Sequence, residues 1–277
     1  ITAGTFHSVS NSLLKSLNKG VILKQPSELK TLLKSITDRR QFHRISDTKG
    51  YSGAYLYDIY SLFCNSCVNN ESFEDWFALN YPDQAEFAAI YDDILREFEE
   101  TKVQFNYADF NDLLIKMRNE LKNGSAICFD EILVDEYQDT NSLQGSLIDA
   151  FNTKSLFCVG DFDQSIYAFN GANIEIIGSF KERYIGANIY SLNINYRSSA
   201  KILALANKVI ANNPRLYPKS LEVSRDGEFK SPVLLVYDEL FVQYSAVAEI
   251  IAKSRYHKSD IAIIFRNNSS RSEERRV

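Results

Sequence analysis

Up to about residue 125 the apolar positions recur at helical spacing, and from residue 131 they gather into short runs that end in polar loops. Val9, Leu13, Leu14 and Leu17 predict a helix that follows a strand end. Residues 26–122 read as mostly helical, with Pro26-Ser27 as a helix start. Phe87 to Phe98 and Leu113 to Leu121 carry the same spacing, the latter ending near Gly124. Strand candidates lie at 131–135, 155–159, 188–192, 232–237 and 261–265, most of them separated by helical stretches. Strands alternating with helices imply a parallel sheet. The expected class is therefore α/β, with a helical block inserted before the strand that ends at Asp135. Pro214, Pro218 and Gly227 mark 212–231 as a linker. There is no internal repeat and no low-complexity tract.

Composition narrows the class. The chain has 277 residues, enough for one large domain or two smaller ones. No run approaches the roughly 18 apolar residues of a membrane span. Ile1-Thr2-Ala3-Gly4-Thr5 has neither a basic n-region nor an initiator Met and reads as the middle of a longer chain, not a signal peptide. Cys64 and Cys67 form a lone C-x-x-C with no second pair at metal spacing. Cys128 and Cys158 adjoin apolar runs and are expected in the core. This usage fits a reducing, cytoplasmic setting.

The net charge is −5, which argues weakly against nucleic acid, but its distribution is uneven. Residues 15–44 carry eight Lys/Arg against Glu28 and Asp38, and residues 71–100 carry ten acids against Arg96. The pattern suggests either a phosphate-facing surface or two solvated helix faces.

Four segments carry chemistry. In Ile132-Leu133-Val134-Asp135-Glu136-Tyr137-Gln138-Asp139-Thr140 a buried-strand pattern stops at two adjacent acids. The carboxyl end of a parallel strand is where open α/β sheets bind ligands. In a nucleotide hydrolase the first acid holds Mg²⁺ and the second orients the attacking water. The other reading is a strand ending in a polar turn. A second run, Cys158-Val159-Gly160-Asp161-Phe162-Asp163-Gln164, leads into a loop with Tyr167, Phe169 and Asn170. Gln164 both donates and accepts, which suits a place between phosphate and water. The two rings either stack on bases or pack in the core. Third, Asn195-Tyr196-Arg197-Ser198-Ser199 precedes a helical pattern from Ala200 to Ala211, with Ser198 or Ser199 as N-cap. An Arg there can reach phosphate. Fourth, Gly4-Thr5-Phe6-His7-Ser8 offers hydroxyls, an imidazole and a ring, either to a phosphate backbone and base or to a helix cap.

In this order and spacing the four segments resemble the UvrD/Rep/PcrA group of superfamily 1 DNA helicases. The strings V-D-E-Y-Q-D-T, V-G-D-x-D-Q-S-I-Y-x-F-x-G-A and N-Y-R-S carry the likeness, which spans roughly residues 1–270. Tyr107 to Leu114 resembles the return from the family's inserted helical subdomain, and Ile261 to Asn268 the first strand of its second motor domain. The resemblance implies a RecA-like, P-loop NTPase sheet from 1–25 and 105–212, a helical subdomain at 26–104, and the start of a second RecA-like domain at 213–270. It implies ATP and Mg²⁺ as cofactors. Asp135, with Glu136 beside it, would sit at the metal, and Glu136 would act as general base. Gln164 would sense the γ-phosphate, Arg197 would contact it, and Tyr196 would stack on adenine. Thr5, Phe6, His7, Ser8, Tyr167, Phe169 and Asn170 would line the DNA path. The family usually has Arg where this chain has Asn170, which removes a charge expected there.

No G-x-x-x-x-G-K-[ST] occurs, and Gly is never followed by Lys. In this family that loop lies upstream of Gly4. The expectation is thus a truncated piece of an ATP-driven 3′→5′ helicase that works on single-stranded DNA and duplex/single-strand junctions in repair or replication. No membrane is expected, and the piece alone would be inactive. The alternatives are a hydrolysis-deficient single-strand binder and the motor of a helicase–nuclease subunit. Arg271-Ser272-Glu273-Glu274-Arg275-Arg276-Val277 matches a translated sequencing adaptor and is read as a non-native tail.

Overall fold

The first helix, α1 (Phe6–Ser16), starts where Thr5 accepts the Ser8 amide, and its Leu14 is buried. The computed structural model describes residues 1–40, 52–66, 71–151, 153–168, 171–213, 221–224, 227 and 230–265. Those up to Tyr190 form one unit and those from Ser191 a second.

After α1, strand β1 (Ile22–Leu23) leads to α2 (Pro26–Arg39), α3 (Gly53–Ser66), α4 (Phe73–Asn80) and α5 (Ala88–Gln104). The chain then returns as β2 (Tyr107–Ala108), which pairs with β1 in parallel. Helices α2 to α5, between the paired strands, have their own core. Leu33 and Ile36 of α2, Leu56 of α3, Phe77 of α4, and Tyr91 and Phe98 of α5 are buried together. Burying a ring such as Phe77 contributes roughly 1.5–3 kcal/mol. Gly53 permits α2 and α3 to touch backbone to backbone, since a Cβ there would overlap the Lys30 carbonyl and the Lys34 amide.

The two charge blocks of the sequence meet here. Arg39 and Arg40 of α2 pair with Glu97 and Asp93 of α5, and Lys30 pairs with Asp58. Much of the basic stretch therefore answers acids of neighbouring helices and does not form a bare phosphate-facing strip.

Helix α6 (Phe110–Lys122) comes next, opened by a reciprocal cap in which Asp112 N donates to Asp109 Oδ1 and Asp109 N to Asp112 Oδ2, both at 2.8 Å. Lys102 of α5 reaches these acids from the interior. Its Nζ lies 2.9 Å from Asp112, 3.4 Å from Asp109 and 2.7 Å from Glu99, and donates to Tyr60 Oη at 3.0 Å. Burial pulls the Lys102 ammonium down in pKa, but these acids more than reverse that and leave it above its ordinary range. Burial pushes Asp109 up to about 6, against an ordinary 3.8, although Lys102 opposes the rise. The folded form thus keeps a proton that the unfolded chain has already lost. The Asp109 contribution is full below pH 3.8 and is lost as pH rises through about 6. Asp109→Asn is expected to flatten this part of the curve, read as urea midpoints from about pH 4 to 7.

Strand β3 (Glu131–Val134), helix α7 (Ser142–Ala150) and strand β4 (Ser155–Cys158) succeed it, with β3 and β4 parallel and Val134 opposite Cys158. Val134 and Tyr137 pack with Ile148 of α7 and Ile176 of α8 (Ile174–Gly178); α9 (Phe180–Arg183) closes the unit, and Phe180 lies against this cluster. Leu133 and Phe157, paired across the other face, are exposed.

The second unit contains β5 (Ile194–Asn195), α10 (Ala200–Ile210), β6 (Glu222–Val223) and α11 (Leu240–Ala252), with β5 and β6 parallel. This pairing ties the 194–210 segment to residues 222–223. The division falls at Tyr190, ahead of the expected 212–213. The strand candidates 131–135 and 155–159 form a ladder. Those at 188–192, 232–237 and 261–265 form none among the described residues. Their apolar side chains, including Leu192, Leu234 and Ile264, are exposed.

Cys64 is buried, Cys158 half buried and Cys128 exposed, so Cys128 is not a core residue; Cys67 lies outside the described residues. Burial pushes the Cys158 thiol up to about 12. Among the described residues no helix is long and apolar enough to cross a membrane.

Candidate functional site

The ladder between β3 and β4 continues one step beyond the strands. Val159 N donates to Val134 O, and Tyr137 N to Val159 O, each at 2.8 Å. This holds the two polar strand ends side by side. Tyr137 anchors the first of them, being buried with its ring edge-on to Phe180 at 5.5 Å. Between strand and anchor, Asp135 and Glu136 are pushed into solvent.

Glu136 is held at φ 51°, ψ 44°, in the left-handed region. Among the described residues the other non-glycine residues with positive φ are Asn18 and Asn106, a residue type that tolerates it. A glutamate there is strained, and such strain concentrates at functional sites. The conformation lets Glu136 N donate to Asp135 Oδ1 at 2.9 Å. It also turns Glu136 Oε2 toward Gln138, whose Nε2 donates to it at 2.8 Å.

On the second strand end, Asp161 caps a single 3-10 turn, Phe162–Gln164. Its amide donates to Gln138 Oε1 at 2.9 Å, and its Oδ2 accepts from Gln164 Nε2 at 2.8 Å. The structure thus brings Asp135, Glu136 and Gln164 into one network through Gln138 and Asp161. Gly160 makes the approach possible: a Cβ there would stand 2.9 Å from Gln138 Oε1, 3.1 Å from Ile177 and 3.2 Å from the Gln138 amide. Gly160→Ala is expected to cost about 1–3 kcal/mol, read as a lowered urea midpoint at unchanged m-value. The loop beyond Gln164 returns to the first strand end, where Asn141 bridges Ala172 and Asn173 N donates to Thr140 O. Tyr167 in that loop is exposed; Phe169 and Asn170 lie outside the described residues.

At the N-terminus the Thr5 and Ser8 hydroxyls contact each other at 3.2 Å and satisfy the start of α1. Phe6 is half buried against both neighbouring cores. His7 is half buried with its ring edge-on to Phe110, and burial lowers its pKa.

Tyr196 and Arg197 belong to the second unit, where both are exposed. Their turn is set by Asn195, whose Oδ1 accepts from the amides of Arg197 and Ser198 at 3.1 and 2.7 Å. Ser199 stands at the N-cap of α10, but its side chain makes no cap bond.

A sequence profile described as the UvrD/REP helicase N-terminal domain matches residues 1–185, and the UvrD-like helicase C-terminal domain matches residues 190–273. The chain belongs to the UvrD/REP helicase family. Its two profiles meet close to the division at Tyr190. DNA helicase II of Rickettsia typhi is 32% identical over 96% of this chain and 42% of its own length. PcrA, an ATP-dependent DNA helicase of Bacillus subtilis, is 30% identical over 97% of the chain and 37% of its own length. A probable DNA helicase II homologue of Mycoplasma capricolum is 37% identical over 66% of the chain and 26% of its own length. The chain thus spans less than half the length of these UvrD/REP relatives. Such membership implies a RecA-like α/β fold, consistent with the parallel β3–β4 pair.

Sequence reasoning missed Gln138 and Asp161, which hold the two strand ends of the first unit together, and Asn195, which sets the Tyr196-Arg197 turn of the second. Their signal was weak: each is a polar residue within three positions of one singled out, and for Gln138 and Asp161 the role depends on which loops are neighbours.

Proposed function

We propose that this chain serves as part of a longer ATP-dependent DNA helicase that moves 3′→5′ on single-stranded DNA, in repair or replication, in the cytoplasm. The observation that carries the reading is the exposed Asp135-Glu136 pair at the carboxyl end of β3, with Glu136 in a left-handed backbone and linked to Gln164 on the next strand end. A protein that only held DNA would not need a water-orienting acid.

The donor set suits Mg²⁺, which takes one or two carboxylates together with waters and phosphates. Asp135 has one oxygen engaged by the Glu136 amide and is otherwise open to solvent. When bound, the ion would neutralise phosphate charge. The chain contains no G-x-x-x-x-G-K-[ST], so these residues do not include the Gly-rich phosphate cradle. In this reading Glu136 accepts a proton from water and Gln164 senses the γ-phosphate. Arg197 contacts that phosphate and Tyr196 stacks on adenine. The single strand, entering from duplex junctions, runs past Thr5, Phe6, His7, Ser8, Tyr167, Phe169 and Asn170. The helices between β1 and β2 form the inserted subdomain.

The test is ATP hydrolysis and strand separation by the purified full-length helicase carrying this chain, on duplexes with a 3′ or a 5′ tail. Hydrolysis stimulated by single strands, with unwinding from the 3′ tail alone, is expected. Tight single-strand binding without hydrolysis would replace the motor by a binding protein.

A further inference from the structure

Gln138 is 2% exposed, yet it lies two residues from an exposed acid and makes its side-chain hydrogen bonds in opposite directions. Its orientation is fixed by its partners. The Asp161 main-chain N–H can only donate, so it must face Oε1; a carboxylate can only accept, so Glu136 must face Nε2. Turning the amide over would break both bonds and bury two mismatches. Two further contacts secure the residue. The Ser165 hydroxyl lies 3.4 Å from its main-chain carbonyl oxygen, and Gly160 leaves room for its side-chain Oε1 and its main-chain N–H.

The bonds run on from there. Asp161, held by its amide, accepts from Gln164 through its carboxylate at 2.8 Å. A displacement of Gln164 toward a ligand would remove one of the bonds that hold Asp161, whose Oδ1 caps the same turn through the Asp163 amide and whose main-chain N–H holds Gln138. Glu136 has little else to fix it, since it is exposed and its backbone is strained.

We infer that Gln138 is a positioning residue: it aims the Glu136 carboxylate and links its orientation to the loop carrying Gln164. The inference deepens the helicase reading above and rests on it. It concerns turnover, not nucleotide or DNA affinity, because Gln138 is buried behind the groups assigned to either ligand.

The test uses the full-length helicase with Gln138→Leu and Gln138→Glu, measuring kcat and KM for ATP at saturating single-stranded DNA, and Kd for the strand. A misaimed base loses about 10–100-fold in rate. Gln138→Leu should therefore lower kcat by that factor and leave KM and Kd within about twofold. Gln138→Glu still accepts from Asp161 but sets a carboxylate against Glu136. Two carboxylates in contact repel, so this variant too should misaim Glu136 and lower kcat about 10–100-fold at unchanged KM and Kd. A kcat within about twofold of wild type in either variant overturns the inference. A parallel fall in kcat, DNA affinity and melting temperature overturns it in favour of a merely structural role. If the Leu variant does not fold, the Glu variant's kcat, KM and Kd decide. Wild-type protein without DNA-stimulated hydrolysis would sink the helicase reading, and the inference with it.

Discussion

Glu136→Gln in the full-length helicase should lower DNA-stimulated ATP turnover by about 10²–10⁴-fold, the span associated with a general base. Single-strand affinity should stay within about twofold. The substitution is conservative where the fold is concerned. Gln keeps the length of the side chain, and its carbonyl oxygen can still accept from Gln138 Nε2, now at 2.8 Å from Glu136. The left-handed backbone costs a Gln no more than a Glu. What is lost is the ability to take a proton. Steady-state hydrolysis and fluorescence anisotropy with a labelled oligonucleotide separate the two effects. Near-normal turnover would remove Glu136 from the chemistry, and lost DNA binding would place it on the strand path.

The second large effect is on stability. Lys102→Met is expected to cost about 3–5 kcal/mol, as when one partner of a buried ion pair is removed. The ammonium is 2% exposed and answers three acids on two helices, with Asp109 itself buried. Met fills much of the space, so the loss comes from carboxylates left without a counter-charge and not from a cavity. Lys102→Met with Asp109→Asn and Asp112→Asn should recover part of it. Equilibrium urea unfolding of the chain checks both; a single-variant cost under about 1 kcal/mol would mean that water already reaches the cluster.

Much of the fold was legible because amphipathic spacing reports a buried face directly. Phe87 to Phe98 falls within Phe87 and α5, Leu113 to Leu121 within α6, and Pro26 begins α2. The runs ending at Asp135 and at Cys158-Val159 were legible as strands because each has a partner beside it. An apolar run does not say whether a partner exists, and for that reason 188–192, 232–237 and 261–265 were overread. Cys128 was misplaced by the same logic: apolar neighbours in sequence did not give it buried neighbours in space. The charge blocks posed a related problem. Sequence counts Arg39, Arg40, Asp93 and Glu97, but only the packing of α2 on α5 shows that they face one another. At the site, Asp135, Glu136 and Gln164 stood out by residue type. Gln138 did not, because its role depends on the register that sets Val134 opposite Cys158.

The pairing of Ile22 with Tyr107 bears on the order of folding. Two strands of two residues each close a loop that holds four helices, and closing a flexible loop of that length carries an entropic cost on the order of 4 kcal/mol beyond a constant. So short a ladder cannot offset that from a disordered chain. The helices between the strands have a core that includes Leu33, Phe77 and Tyr91, built from contacts that lie wholly within the loop. Local contacts form early. Once this core has collapsed, its two ends emerge already close together, and the strands meet at little further cost. The helical block is in this sense a preassembled clasp that lets the sheet form around it.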